Sequence, residues 1–157
     1  MTSPPAAAGS LVCVAHHRGD TGSLSALDTH SGAMRWRVAA GRGPIASSPA
    51  VADGVVCFGD ARALHAVELE SHRKRWTFDH RPTVDSSATS VDAVVCFGAG
   101  STLYALDTQS GEVDRQFKLS DEELAFLSPA VVGEVVCGGG DDGYLCAVPV
   151  ERGRCAW

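Results

Sequence analysis

The stretch ALDTHSGAMRW at residues 26–36 reads by itself as a strand end, a tight turn and a return strand, yet most of it recurs as ALDTQSGEVDR at residues 105–115. Repetition of this kind decides an architecture before any strand is assigned, because a period of about 20–50 residues marks solenoids, propellers and arrays. The cysteines fix the period. Cys13, Cys57, Cys96 and Cys137 each close a Val-Cys step and stand 44, 39 and 41 residues apart. Aligned on them without a gap are SPPAAAGSLVC from Ser3, SSPAVADGVVC from Ser47, SSATSVDAVVC from Ser86 and LSPAVVGEVVC from Leu127. The units continue as ALDTHSGAMRW, AVELESHRKRW, ALDTQSGEVDR and AVPVERGRCAW, opened by Ala26, Ala66, Ala105 and Ala147 and closed by Trp36, Trp76, Arg115 and Trp157. Four units, with approximate bounds 1–42, 43–80, 81–121 and 122–157, fill the 157 residues as one domain.

Each unit holds a small-residue run, a β-branched run such as GVVCFG, an alternating run such as ALHAVE and a return run such as KRWTF, with Gly, Asp and Ser at the junctions. Four short antiparallel strands per unit make an all-β chain and describe a propeller blade. No segment carries an apolar stripe long enough for a helical repeat; the one helix-like piece, SDEELAFL at residues 120–127, has Ser120 and Glu123 at capping-box spacing and reads as a single turn between the third and fourth blades.

The repeat motif itself explains why it is repeated. Asp28 is placed to accept backbone N–H groups two residues on, and Gly32 to supply a left-handed residue in the hairpin. Trp36 on the return strand would bury on the order of 200 Å² against the neighbouring blade. A four-stranded blade has two faces and cannot cover them alone, so each Trp needs the next unit. Asp107 and Gly111 repeat the turn, and Trp76, Gly153 and Trp157 repeat other parts. Elsewhere the copies diverge: Glu68 and His72 stand for Asp and Gly in the second, Arg115 for Trp in the third with Phe117 on the same face, and Pro149 for Asp in the fourth. Those copies are expected to be the looser ones, and Pro149 to end its strand or lie at an edge.

Composition narrows function mostly by exclusion. The chain is 45% hydrophobic and 20% charged with a net charge of −6, which disfavours a nucleic-acid partner. Its one dense basic run, SHRKRW at residues 71–76, reads as a solvated hairpin edge. No run of about 18 apolar residues could span a membrane, and the first residues lack a signal-peptide pattern. Six cysteines without a secretory signal point to reduced thiols and a cytoplasmic location.

At this point the residues carry a resemblance. The pattern Ala-x-Asp-x-x-Ser/Thr-Gly-x-x-x-Trp, matched in full by Ala26, Asp28, Ser31, Gly32 and Trp36, together with SSPAVADGVV and GGGDDGYLCAV, resembles the PQQ-like repeat. That repeat is the blade unit of quinoprotein dehydrogenases, of an outer-membrane assembly lipoprotein and of the sensor regions of some bacterial Ser/Thr protein kinases. The resemblance implies propellers of seven or eight blades, whereas four are present here. The chain is then a partial arc, a compact four-bladed ring, an arc completed by another chain, or half of a larger ring completed by a homodimer. Enzymatic members are expected to hold their quinone with a disulfide of adjacent cysteines, a Trp floor and Glu, Asn and Asp ligands to Ca²⁺; this sequence has no Cys-Cys pair and no Asn. No cofactor and no catalytic residue are therefore expected.

Other candidates have plainer readings. Cys13, Cys57, Cys96 and Cys137 could form a thiolate ring only at the axis, and otherwise serve as small apolar residues. His16, His17, Arg18 and Asp20 fall in HHRGDTGS, read as a long rim loop peculiar to the first blade and hence a candidate binding loop. GDDGY at residues 140–144 reads as a type I′ Asp-Gly hairpin, not a Ca²⁺ loop. The serines of the SSP segments are nucleophile candidates by expected exposure alone, without a G-x-S-x-G elbow, and AGRGP is no phosphate loop. The expected function is a non-enzymatic protein-interaction scaffold or regulatory module. A small-molecule sensing propeller is the alternative, and a quinoprotein fragment a remote third.

Overall fold

In the computed structural model the described residues are 3–19, 21–43, 45, 47–80, 86–119, 128–141, 143 and 145–149, with the side chains of residues 18 and 40–42 left aside. Fifteen strands form four antiparallel sheets in chain order. The first blade is β1 (Ala6–Ala8), β2 (Leu11–Arg18), β3 (Thr21–Asp28) and β4 (Met34–Arg42); the second is β5 (Ala50–Ala52), β6 (Val55–Gly59), β7 (Ala63–Glu68) and β8 (Lys74–Asp79). The third is β9 (Thr89–Val91), β10 (Val94–Ala99), β11 (Thr102–Asp107) and β12 (Val113–Lys118), and the fourth shows β13 (Ala130–Val132), β14 (Val135–Gly139) and β15 (Leu145–Pro149). The expected helical turn at 120–127, and Gly153 and Trp157, lie outside the described residues.

The cysteine alignment is also a structural row. Ala6, Cys13, Ala26 and Trp36 pair across the first blade; Ala50, Cys57, Ala66 and Trp76 across the second; Thr89, Cys96, Ala105 and Arg115 across the third; and Ala130, Cys137 and Ala147 across the fourth. Side chains of one row share a face, and this face points toward the following blade. Cys13, Leu24, Ala26 and Trp36 of the first blade pack against Val56, Phe58 and Val67 of the second. Cys57, Leu64 and Ala66 of the second meet Val95, Phe97 and Leu106 of the third, and Cys96, Leu103 and Ala105 of the third meet Val136 and Val148 of the fourth. Among the described residues, these three apolar clusters lie between successive blades.

Trp76 shows what the motif glycine is for. Its indole N–H donates to the Thr108 carbonyl of the next blade at 2.9 Å, and its ring lies over Gly111, where an added Cβ would stand 2.5 Å from Cδ2. Gly111 is also left-handed, at φ 74°. The corresponding residue under Trp36 is His72, a non-glycine held at φ 60°, whose imidazole stacks on the indole at 5.1 Å and 27°. The displaced indole N–H of Trp36 finds no hydrogen-bond partner. Loss of the glycine is thus absorbed by stacking, at the cost of one hydrogen bond and a strained backbone residue. In the third copy Phe117 packs into the following interface beside Arg115.

A β-bulge precedes the Trp position in three blades, at Arg35, Arg75 and Asp114, where the register shifts by one. The extra residue turns the first two side chains back to the motif carboxylate. Arg35 bonds Asp28 Oδ2 at 2.7 and 3.2 Å, and Arg75 bonds Glu68 Oε1 at 2.9 Å. Asp28 Oδ1 meanwhile accepts the amides of His30 and Ser31 and the Ser31 hydroxyl at 2.9–3.0 Å. Asp107 repeats this with Gln109 and Ser110. The Arg35 guanidinium first, then the Ser31 donors, hold the Asp28 carboxyl well below the usual carboxylate range.

In the GDDGY turn, Asp142 of the expected Asp-Gly pair and Tyr144 lie outside the described residues. Gly143 donates its amide to the Gly140 carbonyl at 3.1 Å, and the left-handed residue is Gly143 at φ 84°, not Asp141. Asp53 and Gly54, at φ 51° and 73°, are the pair that takes the I′ signature, between β5 and β6.

Two outcomes follow for stability. Gly32→Ala meets no atom within 4 Å and is expected to lose only the left-handed preference, about 1 kcal/mol, whereas Gly111→Ala also drives a Cβ into the Trp76 ring and is expected to cost about 3 kcal/mol or more; urea denaturation of the two variants measures the difference. Because the folded Asp28 carboxyl titrates below its unfolded value of about 4, its contribution is present above that pH and is lost as acid protonates the folded form. The stability gap between wild type and Asp28→Asn is therefore expected to be widest above about pH 5 and to narrow toward about pH 2, measured by urea midpoints across that range.

Candidate binding surfaces on the first and fourth blades

The residues expected in a rim loop are mostly strand. His16, His17 and Arg18 belong to β2 and pair with Ser23, Gly22 and Thr21 of β3, so the insertion lengthens a hairpin; Asp20 lies outside the described residues. The β-ladder satisfies the backbone groups that a loop would have left to water. On the backward face of the first blade, the one turned away from the second, His16 Nε2 and the buried Ser25 hydroxyl share a hydrogen bond of 2.9 Å, and Arg37 donates to Ser23 Oγ at 2.9 Å. Burial, and then the charge of Arg37, lowers the His16 pKa from its ordinary value, so His16 is neutral near pH 7. Alongside lie Val12, Val14 and Leu27, half-buried, and Met34, 60% exposed.

At matching positions of the second blade stands a group that sequence reading did not find. Asp60 Oδ2 bonds His65 Nε2 at 2.9 Å, His65 Nδ1 lies 3.2 Å from Thr77 Oγ1, and Asp60 Oδ1 accepts the amides of Arg62 and Ala63. Burial alone would raise the Asp60 carboxyl, but these hydrogen bonds outweigh it and hold the pKa below its ordinary value. The order carboxylate, imidazole, hydroxyl is that of an acyl-transfer relay. Here the imidazole is 3% exposed and packs on Phe58 between two blades, so a substrate has no approach to it. The group fastens β8 to β7 and to the hairpin beyond β6. The signal available was two titratable residues five apart on facing strands, a diagonal contact that spacing alone does not announce.

The SSP serines are not exposed nucleophiles: Ser48 is half-buried, and Ser47, like its repeat equivalent Ser86 of the SSA segment, is buried. Ser47 and Ser86 are 1% and 0% exposed, and each hydroxyl accepts the amide of a glycine twelve residues on, Gly59 and Gly98, at 2.6 Å. Ser3 donates to the Ala15 carbonyl at the same offset. The second serine links blades: the Ser48 amide donates to Ser87 Oγ and the Ser87 amide to Ser128 Oγ. The cysteines are equally internal. Burial pushes the Cys13 thiol up to about 11 and those of Cys57 and Cys96 up to about 12, so they remain protonated at neutral pH. Cys13, Cys57, Cys96 and Cys137 are free thiols, and among the described residues no group of three His, Cys, Asp or Glu side chains converges as metal ligands.

One surface stands out against this internal accounting. The forward face of the fourth blade carries the same residue types that are buried or half-buried in the other three, but none of the described residues covers it. Leu145 is 87% exposed where Leu24, Leu64 and Leu103 are at most 1%; Val132 is 69% exposed, and Ala130 and Ala147 are exposed beside the half-buried Cys137. Solitary exposed leucines are ordinary, but a contiguous apolar sheet face marks a contact surface.

Comparison with known proteins agrees with this architecture. A family profile described as outer membrane protein assembly factor BamB matches residues 1–157. No curated protein matches the sequence. Among solved structures, the computationally designed Ika4 protein superposes with a TM-score of 0.79 at 14% identity, covering 95% of this chain and 90% of its own. The designed Ika8 protein gives 0.76 at 14% identity over 92% of this chain, and BamB from Moraxella catarrhalis 0.74 at 19% identity over 93%. The chain spans 44% of the Ika8 chain and 48% of the BamB chain. With its blades of three or four described antiparallel strands, its docked tryptophans and a profile match over its whole length, the chain belongs to the BamB-like family of PQQ-like β-propeller repeats.

Proposed function

We propose that this propeller is a non-enzymatic protein-interaction module, a scaffold or regulatory unit whose contact surface is the forward face of the fourth blade. The observation that carries the reading is the exposure of Leu145 and Val132 at positions where the other blades bury their equivalents or half-bury them. A ligand cavity would need convergent polar groups, and the polar groups described above are instead spent on turns, strands and blade seams. The solved relative named as an assembly factor is consistent with a family that works through protein contacts. The free thiols of Cys13, Cys57, Cys96 and Cys137 suit a reducing compartment, and a cytoplasmic location is part of the proposal.

The test is affinity capture with the wild-type chain and with Leu145→Glu, after circular dichroism has shown both to be folded. Partners retained by wild type are expected to be lost, at least tenfold, from the variant; identical retention by both would count against the face. Thermal-shift measurement with pyrroloquinoline quinone and Ca²⁺ is expected to leave Tm unchanged, because binding to the native state alone would raise it.

A further inference from the structure

We infer that the occupant of the fourth blade's open face is the first blade of a second copy of this chain, in a two-fold dimer that closes an eight-bladed ring. The inference rests on the reading of that face as a contact surface and names what covers it. Each internal seam joins a forward face of one blade to the backward face of the next, and among the described residues one surface of each kind is left without a neighbouring blade. The forward one is the fourth blade's, with Leu145, Val132 and Ala147 exposed. The backward one is the first blade's, where Val12, Val14 and Leu27 are half-buried while their counterparts Val56, Phe58 and Val67 in the second blade are 0% exposed.

Residue types at the two surfaces match those of the internal seams. Leu24 shares a cluster with Phe58, and Leu64 shares one with Phe97. In the same register, Leu145 of one copy falls against Val14 of the other. Arg37 on the backward face of the first blade and Asp141 in the hairpin of the fourth carry opposite charges. A two-fold axis makes the contact twice and leaves no blade face open, so the arrangement closes instead of growing into a fibre.

Sedimentation equilibrium tests the proposal with a charge pair placed across the inferred seam. Wild type is expected at twice its 16.3 kDa mass, and Leu145→Glu and Val14→Lys each alone at the monomer mass. Mixing the two variants is expected to restore dimers, because one seam then pairs Glu with Lys and the other keeps native Leu and Val. Iodoacetamide labelling followed by peptide mapping gives a second readout: Cys137 is expected to be protected at least tenfold in wild type relative to Leu145→Glu, as Cys13, Cys57 and Cys96 are protected within the chain. Monomeric wild type at high concentration, or variants that stay dimeric, would overturn the dimer. If wild type is monomeric and Leu145→Glu still loses a captured partner, self-association alone fails and the face keeps its role; if the substitution alters neither mass nor capture, both readings fail.

Discussion

The docking of a blade's outer tryptophan on the turn of the next blade is the constraint to which the other features answer. Trp76 can lie flat on Gly111 only because that residue lacks a Cβ, and Gly111 can lack one only because a left-handed turn residue is wanted there in any case. The Asx turn built on Asp107 places the glycine, and the bulge before Trp76 sets the angle of the indole. Sequence spacing, backbone conformation and inter-blade packing thus meet in eleven positions. The small cysteine and alanine inside the same row keep the sheet centres close enough for the indole to reach.

Much of this was legible in the residues. The repeat, the four units, the turn chemistry and the role of Trp follow from period and residue type, since a local turn and a hydrophobic anchor leave a local signature. What escaped was set by contacts across strands or blades. His16 and His17 look like loop because a Gly-Asp-Thr-Gly run follows them, yet the pairing that starts at Leu11 runs through them to Arg18 and extends the ladder. Ser47 and Ser86 look accessible because they sit beside turn-forming residues, but their constant offset of twelve from Gly59 and Gly98 is the mark of a clasp. The Asp60–His65–Thr77 chain depends on a diagonal register that no linear motif records.

The same distinction governs the candidate surface. Sequence shows that the fourth unit keeps the buried-type residues Leu145, Ala147 and Cys137. It does not show whether a neighbour covers them, because burial belongs to the assembly and not to the residue. In structural terms the fourth blade is written as an interior blade, yet none of the described residues covers its forward face. That mismatch is what separates a contact surface from the scattered exposed side chains of any folded chain.

The serine links give the array a gradient. At the seams after the second and third blades, a backbone amide donates to a serine hydroxyl of the following blade, but at the first seam the donor position is Pro4, which has no amide hydrogen. The same seam carries the left-handed His72 and the unsatisfied indole of Trp36. The last two are one departure seen from its two partners, so with Pro4 the first seam departs twice, and this marks the first blade as the unit expected to rock most readily against its neighbours, a hinge leaf on a stiffer three-blade body. Opening and closing of a ring would then be concentrated at one joint instead of being spread evenly around it.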